Sequence, residues 1–240
     1  MKTFGRVLTA MITSFNDDGS VNIKNNVAIA EHLLNHGSDG LVVCGTTGEN
    51  PTMSRESKIA LFKAVAEFCG DKGTIIANVG SNDTKGSVDF VKEVSTIPGI
   101  DGLLVVVPYY NKPNQQGQYL HFKSIAEATT LPIMVYNVPG RVGTGIFPAT
   151  LARLHKEYPH ICAIKEASGN LMIASEIKRL MPGDDFMVYS GDDGLTLPIL
   201  SVGGTGVISV VSHVAGQDMN DMIAAFRSEE RRVGKECRSR

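Results

Sequence analysis

The sequence predicts an α/β protein in the form of a closed (β/α)8 barrel, on three observations. One unit recurs along the chain: a short apolar run, a polar or glycine-bearing loop, then an amphipathic stretch. Eight such units fit within about 225 residues, which suits a barrel folding as one domain of roughly 250 residues. The first loop lacks the G-x-G-x-x-G that opens a doubly wound dinucleotide-binding sheet, the rival arrangement.

The predicted strands are Val7–Met11, Gly40–Cys44, Thr74–Asn78, Gly102–Val107, Ile133–Tyr136, Ile161–Lys165, Met187–Ser190 and Gly206–Val210. They are near-continuous apolar runs rather than alternating ones, as parallel strands buried on both faces require. Helices are predicted at Ile23–Asn35, Arg55–Cys69, Thr84–Ser95, Gln118–Thr129, Pro148–Glu157, Leu171–Leu180 and Leu195–Val202, with an eighth starting near Asp218. In the first, Val27, Ala30, Leu33 and Leu34 share a face while Lys24, Glu31 and Asn35 lie away from it, and Gly37 supplies the stop. In the second, Ser54 caps and Ile59, Phe62, Val65 and Ala66 form the inner stripe. Residues 1–226 are thus read as one TIM-barrel catalytic domain. The stretch 227–240 carries three glutamates and six Lys/Arg after the apolar Met222, Ile223 and Phe226 stop. It is expected to be a charged, non-native extension, in preference to a natural solvated tail.

With 42% hydrophobic and 20% charged residues and a net charge of −2, the chain is neither disordered, collagen-like nor coiled-coil. No basic tract in its body offers a nucleic-acid footprint. Cys44, Cys69, Cys162 and Cys237 stand far apart without a C-x-x-C pair, which fits a reduced, cytoplasmic protein. The apolar run Val7–Ile12 behind Lys2 and Arg6 is too short for a signal peptide, and no window reaches the roughly 20 apolar residues that span a bilayer. His32 and His36 are spaced like a helical ligand pair but lack the glutamate of H-E-x-x-H, and both fall on the outer side of their helix. No metal is expected. A Ser/His/Asp nucleophile elbow is also missing.

Side chains at the C-terminal ends of barrel strands point into the active site. Lys165 closes the sixth strand. On an arbitrary strand such a lysine snorkels to solvent; at a barrel mouth it is partly desolvated, which lowers its pKa and frees an amine for a Schiff base. Tyr136 closes the fifth strand, where a tyrosine is ordinarily a packed ring. Its phenol is a poor base at neutral pH but serves as a proton relay when other hydroxyls adjoin it. Thr46, Thr47, Tyr109 and Tyr110 are the candidate neighbours, although hydroxyls in Gly45–Glu49 could simply cap a turn. Arg141, by default a solvated arginine, has the fork that grips a carboxylate. Gly191-Asp192-Asp193 lets backbone approach a ligand, whereas Gly203-Gly204-Thr205-Gly206 precedes its strand and lies at the wrong end for a phosphate cradle. These residues point to a barrel enzyme with a candidate Schiff-base lysine and leave its substrate open.

Five motifs in register, at Gly45–Glu49, Pro108–Pro113, Tyr136–Arg141, Ile164–Ala167 and Gly206–Ser209, resemble the dihydrodipicolinate (4-hydroxy-tetrahydrodipicolinate) synthase family. That family lies in the pyruvate-dependent class I aldolase superfamily with N-acetylneuraminate lyases. The likeness runs from Phe4 to Phe226. It implies a lyase of the diaminopimelate and lysine pathway that condenses pyruvate with L-aspartate 4-semialdehyde, needing no cofactor beyond the covalent pyruvate imine on Lys165. It implies a relay of Tyr136, Thr46 and Tyr110, the last reaching a neighbouring subunit's site in a dimer or tetramer. Thr47 would hold the pyruvate carboxylate, Arg141 the carboxylate of the aldehyde, and the backbone at Gly191 and Ile208 the pocket wall. Arg141 favours the synthases over neuraminate lyases, which usually lack an arginine there; the alternatives are another pyruvate lyase, or an inactive truncated barrel serving as a scaffold.

Two departures stand out. Where some family members bind inhibitory lysine through histidines and a glutamate, this chain has Pro51–Lys58 with Arg55 and Lys58, and Gly86 near the glutamate position, so feedback is expected to be weak or absent. The small C-terminal helical domain of the family is expected to be missing, which would expose apolar surface.

Overall fold

The computed structural model describes residues 4–228. Its strands are β1 (Val7–Ala10), β2 (Gly40–Val43), β3 (Thr74–Asn78), β4 (Gly102–Val106), β5 (Ile133–Asn137), β6 (Ile161–Glu166), β7 (Met187–Ser190) and β8 (Gly206–Ser209). They follow one another in a closed parallel barrel, with β8 returning to β1 through Leu8↔Ile208. Every strand residue except Val106 is buried. That is why the strands read as unbroken apolar runs: one face fills the barrel and the other meets the helices. The helices are α1 (Ile23–Asn35), α2 (Arg55–Cys69), α3 (Thr84–Val94), α4 (Gln115–Ala126), α5 (Pro139–Val142), α6 (Pro148–Glu157), α7 (Leu171–Leu180), α8 (Thr196–Ser201) and α9 (Ser212–Ser228).

Capping explains most helix starts. Ser54 Oγ accepts from Ser57 N at 3.1 Å to begin α2, and Asp83 accepts from the amides of Lys85 and Gly86 to begin α3. Asn114 does the same for α4, accepting from Gly117 N at 2.9 Å. This cap moves the start of α4 to Gln115, ahead of the apolar period that points to Gln118. Two further elements differ from what the sequence predicts. Val138–Arg141, expected as loop, contains the single turn α5, with proline pre-set for its first residues and Gly143 (φ 76°) closing it. The last helix begins at Ser212 rather than near Asp218, with a break at Ala215 (φ −138°).

Helix α9 runs through Ser228, so the first two residues of the expected tail, Arg227 and Ser228, are helical; residues 229–240, with Cys237, lie outside the described residues. Cys44, Cys69 and Cys162 are buried free thiols. His32 and His36 stack their rings at 4.1 Å on the exposed side of α1. Among the described residues no His/Cys/Asp/Glu cluster could hold a metal ion, and no helix is long and apolar enough to cross a membrane.

Candidate active site

Tyr136 on β5 and Lys165 on β6 are register partners, so their side chains leave the sheet on the same face. The Lys165 amine lies 4.6 Å from the centroid of the Tyr136 ring. Only 7% of Lys165 is exposed. Burial, and then the nearby Arg141 cation, bring its pKa down from 10.5 to about 8, with Asp193 pulling the other way. At pH 7 an amine with that pKa is about one-tenth neutral, against a few parts in ten thousand for an ordinary lysine. This is the physical basis for a nucleophilic lysine. Gly191 makes room for it: a Cβ there would stand 2.6 Å from the Ala167 Cβ and 3.2 Å from the Lys165 Cε.

Tyr136 is buried, which raises its pKa, while the Thr46 hydroxyl and Arg141 oppose the rise. The phenol therefore stays protonated at neutral pH and can lend and retrieve a proton. A cavity of about 680 Å³ opens beside Tyr136, with Thr46, Tyr110 and Arg141 also in its wall. Of the other predicted site residues, Thr47 is half-buried in the turn after β2, and Ile208 is buried in β8 opposite Leu8. Lys165, Thr47, Gly191 and Ile208 do not form the cavity wall; Tyr136, the register partner of Lys165, does.

The loops reach this arrangement through backbone conformations that composition does not announce. Cys44 (φ 55°), Glu49 (φ 59°), Tyr110 (φ 67°) and Lys112 (φ 43°) are all left-handed without being glycine, a state that costs of order 1 kcal/mol or more. At Cys44 the conformation turns β2 into Gly45–Glu49, and Asn78 Nδ2 donates to the Cys44 carbonyl at 2.8 Å to hold it there. Tyr110 is 88% exposed.

Sequence reasoning missed three groups at this rim. Asn78 and Lys112 line the cavity. Asp193 accepts from the amides of Val210 and Val211 at 3.0 and 3.1 Å. Its other carboxylate oxygen is buried with no hydrogen-bond partner. Asn78 ends β3 as Lys165 nearly ends β6, so the strand-end rule, applied evenly, selects it.

A desolvated lysine against a protonated phenol at the C-terminal rim of a (β/α)8 barrel defines a lyase of the class I aldolase type. Comparison with known proteins narrows the class. A model of the dihydrodipicolinate synthetase family matches residues 3–238. The 4-hydroxy-tetrahydrodipicolinate synthase of Desulforamulus reducens is 52% identical over 225 residues, covering 94% of this chain and 75% of that protein. A dihydrodipicolinate synthase structure from Bacillus anthracis superposes with a TM-score of 0.92 at 44% identity, covering 98% of this chain and 80% of that one. The lysine-bound enzyme from Cyanidioschyzon merolae gives a TM-score of 0.91 at 45% identity, covering 94% and 76%. The chain belongs to the dihydrodipicolinate synthetase family.

Proposed function

We propose that this chain condenses pyruvate with L-aspartate 4-semialdehyde to 4-hydroxy-tetrahydrodipicolinate, in diaminopimelate and lysine biosynthesis in the cytoplasm. The observation that carries the reading is the Lys165 amine, depressed to about 8, beside a phenol whose cavity also holds Arg141. The neutral amine adds to the pyruvate carbonyl and expels water to form an imine, and loss of a methyl proton gives the enamine. The enamine carbon attacks the aldehyde, whose oxygen takes a proton delivered through Tyr136. The product's own amine then displaces Lys165 as the ring closes, so no external cofactor enters the balance.

Thr46 and Tyr110 extend the relay, and Thr47 holds the pyruvate carboxylate with the Gly191 and Ile208 backbone around it. Arg141 grips the carboxylate of the aldehyde. The barrel, residues 1–226, carries all of these groups. An exposed ring held in a left-handed conformation, as at Tyr110, fits a residue presented to a second copy of the chain. A dimer or tetramer follows from that reading.

Arg55, which the sequence sets against feedback by lysine, is ion-paired to Glu93 at 2.6 Å, so the repulsion rests on Lys58, whose ammonium reaches Asn50 Oδ1 at 3.3 Å. A dose–response curve is expected to show no half-inhibition at sub-millimolar lysine. Turnover tests the whole reading: consumption of pyruvate should require aspartate 4-semialdehyde. Cleavage of N-acetylneuraminate in its place would transfer the assignment to the sugar lyases.

A further inference from the structure

We infer that Glu166 and Asn137 form a buried anchor that positions the Arg141 loop for the second substrate, tying it to the strand that carries Lys165. The inference rests on the proposed reaction and extends it to residues that touch neither substrate. One step along the strands from the reactive pair, Asn137 and Glu166 are themselves register partners. Side chains alternate along a strand, so this second pair leaves the sheet toward the helices while Tyr136 and Lys165 face inward. Both are buried, at 1% and 3% exposure.

Their hydrogen bonds run in one direction. The Ser168 amide donates to Glu166 Oε1 at 2.7 Å, Asn137 Nδ2 donates to Glu166 Oε2 at 2.8 Å, and the Ile146 amide donates to Asn137 Oδ1 at 3.2 Å. The carboxylate can only accept when ionised, so it fixes which way the Asn137 amide faces, and that orientation fixes the acceptor offered to Ile146. Ile146 closes the loop that begins at Val138 and contains α5, and Arg141, Val142 and Gly143 of that loop line the cavity. The residues on either side of Ile146 are tied separately. Gln115 Nε2 donates to the Gly145 carbonyl at 2.8 Å, and Gln115 Oε1 accepts from the Phe147 amide at 2.9 Å. The loop is thus clamped near its return, and the buried carboxylate sits one residue from the nucleophile. Displacing a positioning group by about 1 Å can cost on the order of a hundredfold in rate, which gives a buried charge a use here.

A reciprocal exchange tests this on the full chain. Glu166→Gln places a second amide donor against Asn137, and Asn137→Asp sets two carboxylates against each other. The double variant N137D/E166Q restores the chain. Its new amide at position 166 accepts from Ser168 and donates to the new carboxylate at position 137, which still accepts from Ile146. Each single variant is expected to raise KM for aspartate 4-semialdehyde by about tenfold or more, with borohydride trapping of pyruvate on Lys165 retained. The double variant should return KM to within about threefold of the parent. Hydrogen exchange at the Ile146 amide supplies a readout independent of activity: fast in the singles, slow again in the double. If the parent traps no pyruvate, the proposed reaction fails and the exchange data alone decide the anchor. Singles that shift both substrates' KM equally, or a double that recovers neither KM nor protection at Ile146, would overturn it.

Discussion

The two rims of the barrel use polar groups in opposite ways. At the N-terminal rim, where strands begin, polar groups are committed to the fold. Asp39 Oδ2 accepts from the amides of Arg6 and Val7 at 2.6 and 2.9 Å, joining the starts of β1 and β2. The Tyr189 hydroxyl donates to the Gly5 carbonyl at 2.8 Å, and a side chain at Gly206 would collide with the Arg6 carbonyl. At the C-terminal rim the same kinds of group are left with capacity. Lys165 is buried as an amine of pKa about 8, and oxygens of Asn78 and Asp193 are buried without partners. The strands hold both rims to one geometry, so the capacity at one end is supported by closure at the other.

The largest effect expected at the reactive rim comes from Lys165→Met. It should abolish pyruvate trapping and lower turnover by at least about a thousandfold. It should also raise stability at pH 7. The folded-state pKa of Lys165 lies below its ordinary 10.5, so the folded protein binds fewer protons than the unfolded chain between pH 8 and 10.5. The burial cost is therefore fully present below pH 8 and fades as pH rises toward 10.5. At about 1.4 kcal/mol per pH decade it amounts to about 3 kcal/mol. Calorimetry at pH 7 should show a higher Tm for the variant, and an unchanged or lower one would mean the amine carries no desolvation cost.

Two tyrosines sharpen the contrast, because Tyr136 and Tyr189 are both register partners of Lys165. Tyr136→Phe should lower kcat by about a hundredfold or more while leaving the fold intact. Tyr189→Phe should cost about 1 kcal/mol of stability and leave kcat unchanged, since its hydroxyl is already committed to Gly5. A loss of kcat in the second variant, measured at saturating substrate, would break the division between rims.

Smaller effects separate binding from folding. Arg141→Met should raise KM for the semialdehyde by about thirtyfold, roughly 2 kcal/mol. Removing that cation should also move the half-maximal pH of pyruvate trapping upward, because Arg141 is the second contributor to the depressed pKa of Lys165. Asp39→Ala, at the closed rim, should cost about 2 kcal/mol in denaturant unfolding with no change in either KM.

The strands were legible because burial on both faces leaves little but Val, Ile and Leu to use, and β3 and β7 fall at their predicted bounds. Helices α1, α2, α6 and α7 also fall where their apolar stripes and caps place them. The misses have particular causes. Gln115-Gln116-Gly117 carries no apolar period, so only the Asn114 cap marks that start, and Ala215 breaks the helical pattern of α9 near its beginning. At the site, Lys165, Tyr136 and Arg141 were visible because strand ends and a loop cation suffice to select them. The Asn137–Glu166 pair was not, because its meaning depends on the register between β5 and β6, which neither strand encodes alone. The left-handed backbone at Cys44 and Tyr110 was equally hidden, since neither residue type prefers it.

The most direct test of a desolvated, nucleophilic Lys165 is the pH dependence of borohydride trapping with pyruvate, the adduct being located by peptide mass. One adduct is expected, on Lys165, with trapping half-maximal near pH 8. Folded protein that yields no adduct, or one on another lysine, or a midpoint near the ordinary lysine value of 10.5, would contradict it.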